Sequence, residues 1–121
     1  MADAVKPKTL SAKQREFTFM VAQLIIWACS EGFELTFGDA YRNEDTQRKM
    51  VEKGLSKTMK SKHLERLAID LNLFVHGKYT TNPDDYNAVG QFWESLGGVW
   101  GGRWKFRDSN HFEYKGGDTD G

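Results

Sequence analysis

The stretch "LAIDLNLFV", residues 67–75, constrains the fold more than any other part of the sequence. Its apolar side chains recur at every second position, which is the period of a β-strand with one buried face. Ala68, Asp70 and Asn72 then share the opposite face. We therefore expect a half-buried strand that carries Asp70 on its polar side.

Helical and strand patterns lie on both sides of this strand. Apolar residues at helical spacing predict a helix over residues 11–30, with Ser11 and Gln14 as a capping box and an end near Gly32. The other predicted elements are a strand over 33–37, a short polar helix over 43–53, a helix after Asn82 that stops at Gly97, and a last strand over 111–114. The predicted fold is therefore α+β, with a small, mostly antiparallel sheet packed with helices.

Length and composition favour one soluble domain. A chain of 121 residues can bury a single core, so residues 1–121 are expected to form one domain with flexible ends at 1–10 and 115–121. Seventeen basic residues balance seventeen acidic ones, and no global field attracts nucleic acid or an anionic membrane. The single Cys29 excludes an intramolecular disulfide and is expected in the core. No signal peptide is recognisable, which predicts synthesis in the cytoplasm.

Two short stretches associate aspartate with histidine. "SKHLERLAID" contains His63 and Asp70, and "DSNHF" contains Asp108 and His111. A zinc hydrolase uses three protein ligands of the His, Asp or Glu type and keeps one position for water. The chain offers His63, Asp70 and His111 for such a set, with Asp108 as a free carboxylate nearby. The alternative for each residue alone is a local hydrogen bond or a cap at a turn.

The order of these residues resembles a known family. "SKHLERLAID" is similar to the S-x-H-x-x-G-x-A-x-D motif of the zinc D-alanyl-D-alanine carboxypeptidases and the related L-alanyl-D-glutamate peptidases, which include phage endolysins. Ser61, His63, Ala68 and Asp70 match this motif, whereas its glycine is Arg66 here. "DSNHFE" is similar to the family's second motif, an acidic residue shortly before a histidine. "GDAYRNEDTQ" is similar to the segment that carries a cleft arginine.

The resemblance spans about residues 32–114 and implies a role for the matched positions. His63, Asp70 and His111 would bind Zn²⁺. Asp108 would be the general base, which takes a proton from the attacking water and delivers it to the leaving amine. The protein would then be a zinc metallopeptidase, a hydrolase that cuts the stem peptides of peptidoglycan in the bacterial cell wall.

Two further residues are assigned to catalysis and substrate binding by the resemblance. Arg42 would hold a substrate carboxylate or the developing oxyanion with its planar fork of donors. Its alternative is a surface arginine paired with Glu44 or Asp45. Ser61 would either bind the substrate or shape the loop before His63, and the second role is favoured.

Three other features have structural interpretations. His76, beside Gly77, is interpreted as part of an exposed turn. Glu113 lies two residues after His111, hence on the same strand face, and is expected to fix that imidazole or its neighbours. The alternation of aromatic and basic residues in "WGGRWKFR" is typical of a nucleic-acid-binding surface, of a cleft wall against glycan or peptide, or of core packing. The balanced net charge favours the latter two.

The leading hypothesis is an endolysin-like peptidase of bacteriophage host lysis. It would act as a monomer on the cell wall after release, with a peptidoglycan stem peptide as its partner and without nucleic acid or membrane. Two bonds remain open as targets, L-alanyl-D-glutamate and a bond that ends in D-alanine. A catalytically inactive wall-binding module is the first alternative, which the presence of Asp108 disfavours. A nucleic-acid-binding domain is the second.

Overall fold

The computed structural model describes residues 7–56 and 58–116 of the chain. Its α-helices are α1 (Leu10–Ser30), α2 (Glu44–Glu52) and α3 (Asn87–Ser95), and its strands are β1 (Glu34–Phe37), β2 (Ala68–Val75), β3 (Lys78–Thr80), β4 (Val99–Trp100) and β5 (His111–Glu113). Short 3₁₀ helices cover Lys62–Glu65, Pro83–Tyr86 and Gly101–Arg103. The flexible ends expected at 1–10 and 115–121 fall mostly outside the described residues, and Leu10 already belongs to α1.

Strand β2 is the centre of an antiparallel sheet with the order β1-β2-β5-β4. β1 and β3 pair with the carboxy-terminal part of β2, whereas β5 pairs with its amino-terminal part. The two-residue strand β4 extends the sheet beyond β5. Every strand pair among the described residues is antiparallel, so the prediction of an α+β fold with a small antiparallel sheet is confirmed.

The hydrophobic core joins α1 and α3 to the sheet. Leu24 and Ala28 of α1, Leu71 and Leu73 of β2, and Trp93 of α3 have no exposed surface. Burying an aliphatic side chain of the size of leucine contributes roughly 1.5–3 kcal/mol. The alternation in the sequence of β2 therefore marks its buried face correctly. Within the described residues, no helix has the length and apolar content that a membrane span requires.

The start of α1 differs from the sequence prediction. Ser11 and Gln14 do not form a capping box, because Thr9 is the N-cap and its Oγ1 accepts a hydrogen bond from the Ala12 amide at 3.1 Å. Gln14 instead donates its side-chain amide to the carbonyl of Glu65 at 2.8 Å. This bond ties α1 to the end of the 3₁₀ helix that precedes β2.

Two further predictions concern single residues outside the site. Cys29 is exposed, so its predicted core position is wrong. Neighbouring residues of an α-helix point about 100° apart, and Ala28 takes the buried position. The turn expected at His76 and Gly77 is present, with φ angles of 51° and 75°. It joins β2 to β3, a strand too short for its pattern to be recognised in the sequence.

Arg66 stands where the family motif has glycine, and its backbone is left-handed, with φ 59° and ψ 36°. It ends the 3₁₀ helix Lys62–Glu65 and lies two residues before β2. A side chain in this conformation costs roughly 1–2 kcal/mol, which explains why glycine suits the position. The Arg66 guanidinium lies 4.0 Å from the centroid of the Tyr41 ring, a contact that partly offsets this cost.

Substitutions at Arg66 test this left-handed conformation. Arg66→Gly and Arg66→Ala both lose the contact with Tyr41, but only the alanine variant keeps a side chain at positive φ. We expect the glycine variant to be more stable than the alanine variant by about 0.5–1 kcal/mol, after the greater entropy of unfolded glycine is subtracted. Denaturant unfolding of both variants at the same metal concentration measures this difference. An alanine variant as stable as the glycine variant would contradict the assigned conformation.

Candidate metal centre

The register between β2 and β5 places Asp70 directly opposite His111. Side chains at opposite positions of an antiparallel pair lie on the same face of the sheet and are close enough to touch. Asp70 Oδ1 lies 3.2 Å from His111 Nδ1. The loop after β1 is fastened at the same point, since the Gly38 amide donates to the Asp70 carbonyl and the Asp70 amide donates to the Asp39 carbonyl, both at 2.8 Å.

His63 approaches the same point from the 3₁₀ helix Lys62–Glu65. Ser61 caps this helix, and its Oγ accepts a hydrogen bond from the His63 amide at 3.2 Å. The loop-shaping role predicted for Ser61 is therefore visible, whereas its contact with substrate stays a prediction. The His63 ring is 2% exposed, and its Nδ1 lies 3.0 Å from the Ala40 carbonyl. A carbonyl can only accept, so Nδ1 carries the proton and Nε2 has its lone pair free.

The free nitrogen of His63 is the clearest sign of a metal site. Its Nε2 is buried, has no hydrogen-bond partner, and lies 3.2 Å from Asp70 Oδ1. A lone pair that faces a carboxylate is repelled unless a cation lies between them, and an unpaired buried polar atom costs about 1–3 kcal/mol. Ligand atoms of His63, Asp70 and His111 all lie within 4.8 Å of one another. Two imidazoles and one carboxylate are a donor set that suits zinc.

Glu113 orients the second histidine. Its Oε1 accepts a hydrogen bond from His111 Nε2 at 2.8 Å, which directs the Nδ1 atom toward Asp70 and His63. A carboxylate in this position fixes the ring and makes the opposite nitrogen a better metal ligand. The structure thus gives Glu113 the contact that its place in the sequence predicts.

Burial and hydrogen bonding act in opposite directions on the ionisable groups of the centre. Burial raises the pKa of Asp70, but the hydrogen bond from His111 and its positive charge act in the opposite direction and hold the pKa below its usual range. Burial lowers the pKa of His111, but hydrogen bonds to Asp70 and Glu113 raise it to about 9. Its carboxylate partners therefore favour the protonated form of His111, and a metal ion bound at Nδ1 would have to displace that proton.

Asp108 lies beside the three candidate ligands without joining them. Its Oδ2 is 3.8 Å from His111 Nδ1, and its side chain is 52% exposed. Partial burial raises the pKa of Asp108, an effect that the positive charge of His111 opposes and the negative charge of Asp70 reinforces. The Asp108 carbonyl accepts from the His111 amide at 3.1 Å, so a tight turn sets the distance between the two side chains.

Arg42 is buried beside the centre and is not a surface residue. Its side chain is 7% exposed, and its Nη2 lies 3.1 Å from Asp39 Oδ2 and 3.7 Å from Asp70 Oδ2. Its Nη1 donates to Gln47 Oε1 at 2.8 Å. The alternative that pairs Arg42 with Glu44 or Asp45 is wrong, since Arg42 lies just before α2 and its side chain turns inward, away from the exposed first turn of that helix.

The aromatic and basic stretch forms part of a cleft next to Asp108. Trp100 is in the core, with 1% of its surface exposed, and the Trp104 ring lies 4.9 Å from the His111 ring. A cavity of about 500 Å³ is lined by Gly54, Leu55, Ser56, Trp104, Lys105, Phe106, Arg107 and Asp108. The interpretation as core packing therefore holds for Trp100, and the interpretation as a cleft wall holds for Trp104 and Phe106.

Asp39 and Gln47 contact the site and were not found by sequence reasoning. Asp39 follows β1 in a segment without periodicity, and Gln47 is fully buried although α2 is polar. In a helix made mostly of polar residues, the sequence does not show which polar side chain is buried.

Comparison with known proteins shows similarity to one group of peptidases. A family model described as D-alanyl-D-alanine carboxypeptidase matches residues 55–114. The L-alanyl-D-glutamate peptidase of Listeria phage A118 is 36% identical over a region that covers 81% of this chain. The chain spans 37% of the length of that relative.

Two solved structures have a similar fold. The L-Ala D-Glu endopeptidase ChiX of Serratia marcescens matches with a TM-score of 0.68 and 25% identity, over 83% of this chain and 78% of that chain. The vancomycin resistance D,D-pentapeptidase VanY, solved in complex with Zn(II), matches with a TM-score of 0.56 and 17% identity, over 83% of this chain and 71% of that chain. The second likeness concerns the fold alone.

The Glu113 contact can be tested by metal affinity. Glu113→Gln keeps the shape of the side chain but removes the negative charge that stabilises the His111 ring. We expect zinc affinity to fall by about 10–100-fold, the usual effect of losing such a partner. Competition with a chromophoric chelator measures the affinity, and Glu34→Gln, at an exposed carboxylate of β1, is the matched control. Equal affinity of the Glu113 variant and the wild type would show that this carboxylate does not support the metal ligand.

Proposed function

Because the chain belongs to the D-alanyl-D-alanine carboxypeptidase family, we propose that it is a zinc-dependent peptidase that cleaves the stem peptides of bacterial peptidoglycan. The observation that carries this proposal is the buried, unpaired Nε2 of His63, which faces Asp70 and His111 beside the half-exposed Asp108. An unpaired buried nitrogen that faces a carboxylate would destabilise a purely structural core. A metallopeptidase needs such a nitrogen as a metal ligand.

We infer that the L-alanyl-D-glutamate bond is the target. The Listeria phage relative and ChiX are both described by cleavage at this bond. The cavity of about 500 Å³ next to Asp108 offers room for a stem peptide at either bond. Cleavage of a bond that ends in D-alanine is the second candidate, supported by the description of the family model.

The metal would be held by three side chains with fixed orientations. His63 offers Nε2 because Ala40 binds its other nitrogen, and His111 offers Nδ1 because Glu113 binds its other nitrogen. Asp70 supplies the carboxylate between them. Zinc, when bound, supplies the Lewis acidity that allows water to be activated near neutral pH.

Asp108 is the proposed general base. Its carboxylate reaches both the metal centre and the solvent-filled cleft. Burial raises the pKa of Asp108, which makes its carboxylate a better proton acceptor than that of a fully exposed aspartate. It takes the proton of the water that attacks the peptide carbonyl. It then delivers this proton to the leaving amine as the C–N bond breaks.

Arg42 is the proposed partner for negative charge on the substrate. Its guanidinium has five N–H donors, and its contacts with Asp39 and Gln47 leave further donors on both terminal nitrogens. Its position near Asp70 suits a carbonyl oxygen that gains charge in the transition state. Ser61 is proposed as a weaker substrate contact, since its hydroxyl already caps the 3₁₀ helix.

The alternative functions have less support. A wall-binding module without activity does not need a carboxylate that stands beside a metal site but outside the ligand set. In the "WGGRWKFR" stretch Trp100 is buried, which leaves Trp104 and Phe106 for stacking, and the balanced net charge of the chain does not favour a nucleic acid. We expect a monomer that acts on the wall and binds neither nucleic acid nor membrane.

Digestion of purified sacculi tests both the reaction and the role of Asp108. We expect the wild type to release fragments with new D-glutamate amino termini. Asp108→Ala should keep its zinc and its fold but turn over roughly 10²–10⁴-fold more slowly, because a positioned general base is worth about this much. Mass spectrometry of the fragments and metal analysis of the proteins are the measurements, and Asp84→Ala, at an exposed aspartate, is the control. Loss of zinc in Asp108→Ala would make this residue a ligand and overturn its assignment as the base.

Substitution of Arg42 tests its role with the substrate. Arg42→Lys keeps the positive charge but loses the planar fork, so we expect kcat to fall by about 10²–10³-fold with a smaller change in KM. The matched control is Arg48→Lys, at an exposed arginine that pairs with Asp45 on the outer face of α2. Wild-type rates for Arg42→Lys on sacculi would rule out the proposed contact with developing charge.

A further inference from the structure

Gln47 is the one residue of α2 that is fully buried among the residues described for that helix. The outer side of α2 is polar and solvent-exposed, with Arg48 paired to Asp45 at 2.9 Å. Asn43 caps the helix by accepting from the Thr46 amide at 2.8 Å. These contacts stabilise α2 without Gln47. A buried amide is costly unless all its polar atoms have partners, so the inward position of Gln47 calls for a reason.

The partners of Gln47 fix which way its amide points. Its Nε2 donates to Ser56 Oγ at 2.8 Å and to the Thr58 carbonyl at 2.6 Å. A carbonyl oxygen cannot donate, so the nitrogen of the amide must face Thr58. Gln47 Oε1 is thereby directed to Arg42, whose Nη1 donates to it at 2.8 Å.

The bond from Gln47 keeps Arg42 at a distance from the candidate metal ligand. Arg42 Nη2 lies 3.7 Å from Asp70 Oδ2, which is longer than a hydrogen bond. A buried guanidinium without its Gln47 partner would be drawn to the nearest carboxylates, which are those of Asp39 and Asp70. Closer pairing with Asp70 would compete with the metal for that carboxylate and would turn the guanidinium away from the substrate.

We propose that Gln47 is a positioning residue, which holds the Arg42 guanidinium beside the metal centre but off Asp70. The proposal rests on the proposed function, in which Arg42 meets negative charge on the substrate. It adds that this role depends on a neutral acceptor from α2. Gln47 bonds to Ser56, which lines the cleft, but its proposed effect on the metal centre passes through Arg42.

A double-mutant cycle on zinc-loaded protein tests this dependence. Gln47→Met keeps the volume and removes both the acceptor for Arg42 and the donors to Ser56 and Thr58. We expect kcat on sacculi to fall by roughly 10- to 100-fold with KM within about twofold, since a small misplacement of a catalytic group has effects of this size. In the Arg42→Ala background the same change should alter kcat by less than about twofold. An equal loss in both backgrounds would mean that Gln47 acts through the general stability of the site, and the proposal would be wrong.

Two further variants separate positioning from folding. Gln47→Glu keeps an acceptor for Arg42 and loses the donors to Ser56 and Thr58, so its kcat should lie closer to the wild type than that of Gln47→Met. If Gln47 only stabilised the fold, Gln47→Glu should have the lower kcat of the two variants. Its new carboxylate would lie against the Thr58 carbonyl, and two acceptors repel each other. Asn43→Ala removes the cap of the same helix and should lower the melting temperature while kcat stays unchanged.

Nuclear magnetic resonance of the arginine side chains gives a readout that does not depend on activity. With Gln47 present, the Arg42 N–H signals should show slow rotation about the Cζ–Nη1 bond and protection from exchange. Gln47→Met should lose both, whereas Asn43→Ala should keep both. Unchanged Arg42 signals in Gln47→Met would overturn the positioning role of Gln47, whatever the activity of the protein. Inactivity of the wild type on sacculi would instead overturn the proposed function.

Discussion

The pairing of β2 with β5 is the constraint on which the site depends. It sets Asp70 opposite His111, and a slip of one residue would turn His111 to the other face of the sheet. The register is held from the core, since Phe112 has no exposed surface and the indole nitrogen of Trp93 donates to the Glu113 carbonyl at 3.0 Å. β5 has only three residues, so it could not hold this register alone.

The two histidines are held in place through different ring nitrogens, Nδ1 in His63 and Nε2 in His111. The Ala40 carbonyl lies against Nδ1 of His63, whereas the Glu113 carboxylate lies against Nε2 of His111. Each ring therefore presents its remaining nitrogen to Asp70. The carboxylates of Asp39, Asp70 and Asp108 outnumber the buried guanidinium of Arg42 around this point, so a divalent cation that displaced the proton of His111 would offset the remaining negative charge. The same cation is what the chemistry of peptide hydrolysis needs.

Much of this centre could be predicted from the sequence because its residues belong to strands and to motifs with fixed spacing. The alternation in β2 predicts the face of Asp70, and the spacing of His111 and Glu113 predicts their common side. The contacts of Gln47 could not be predicted, since a buried glutamine in a short polar helix leaves no periodic signal. The left-handed backbone of Arg66 was visible only as a mismatch with the family motif, and the structure explains that mismatch physically.

A crystal structure of the zinc-loaded protein, with anomalous data at the zinc edge, shows directly which atoms bind the metal. The geometry predicts one zinc ion bound by His63 Nε2, a carboxylate oxygen of Asp70 and His111 Nδ1, at distances of about 2.0–2.2 Å. Asp108 should lie outside the coordination sphere, and Glu113 should still accept from His111 Nε2. Coordination through His111 Nε2, or by Asp108 in place of Asp70, would contradict this account.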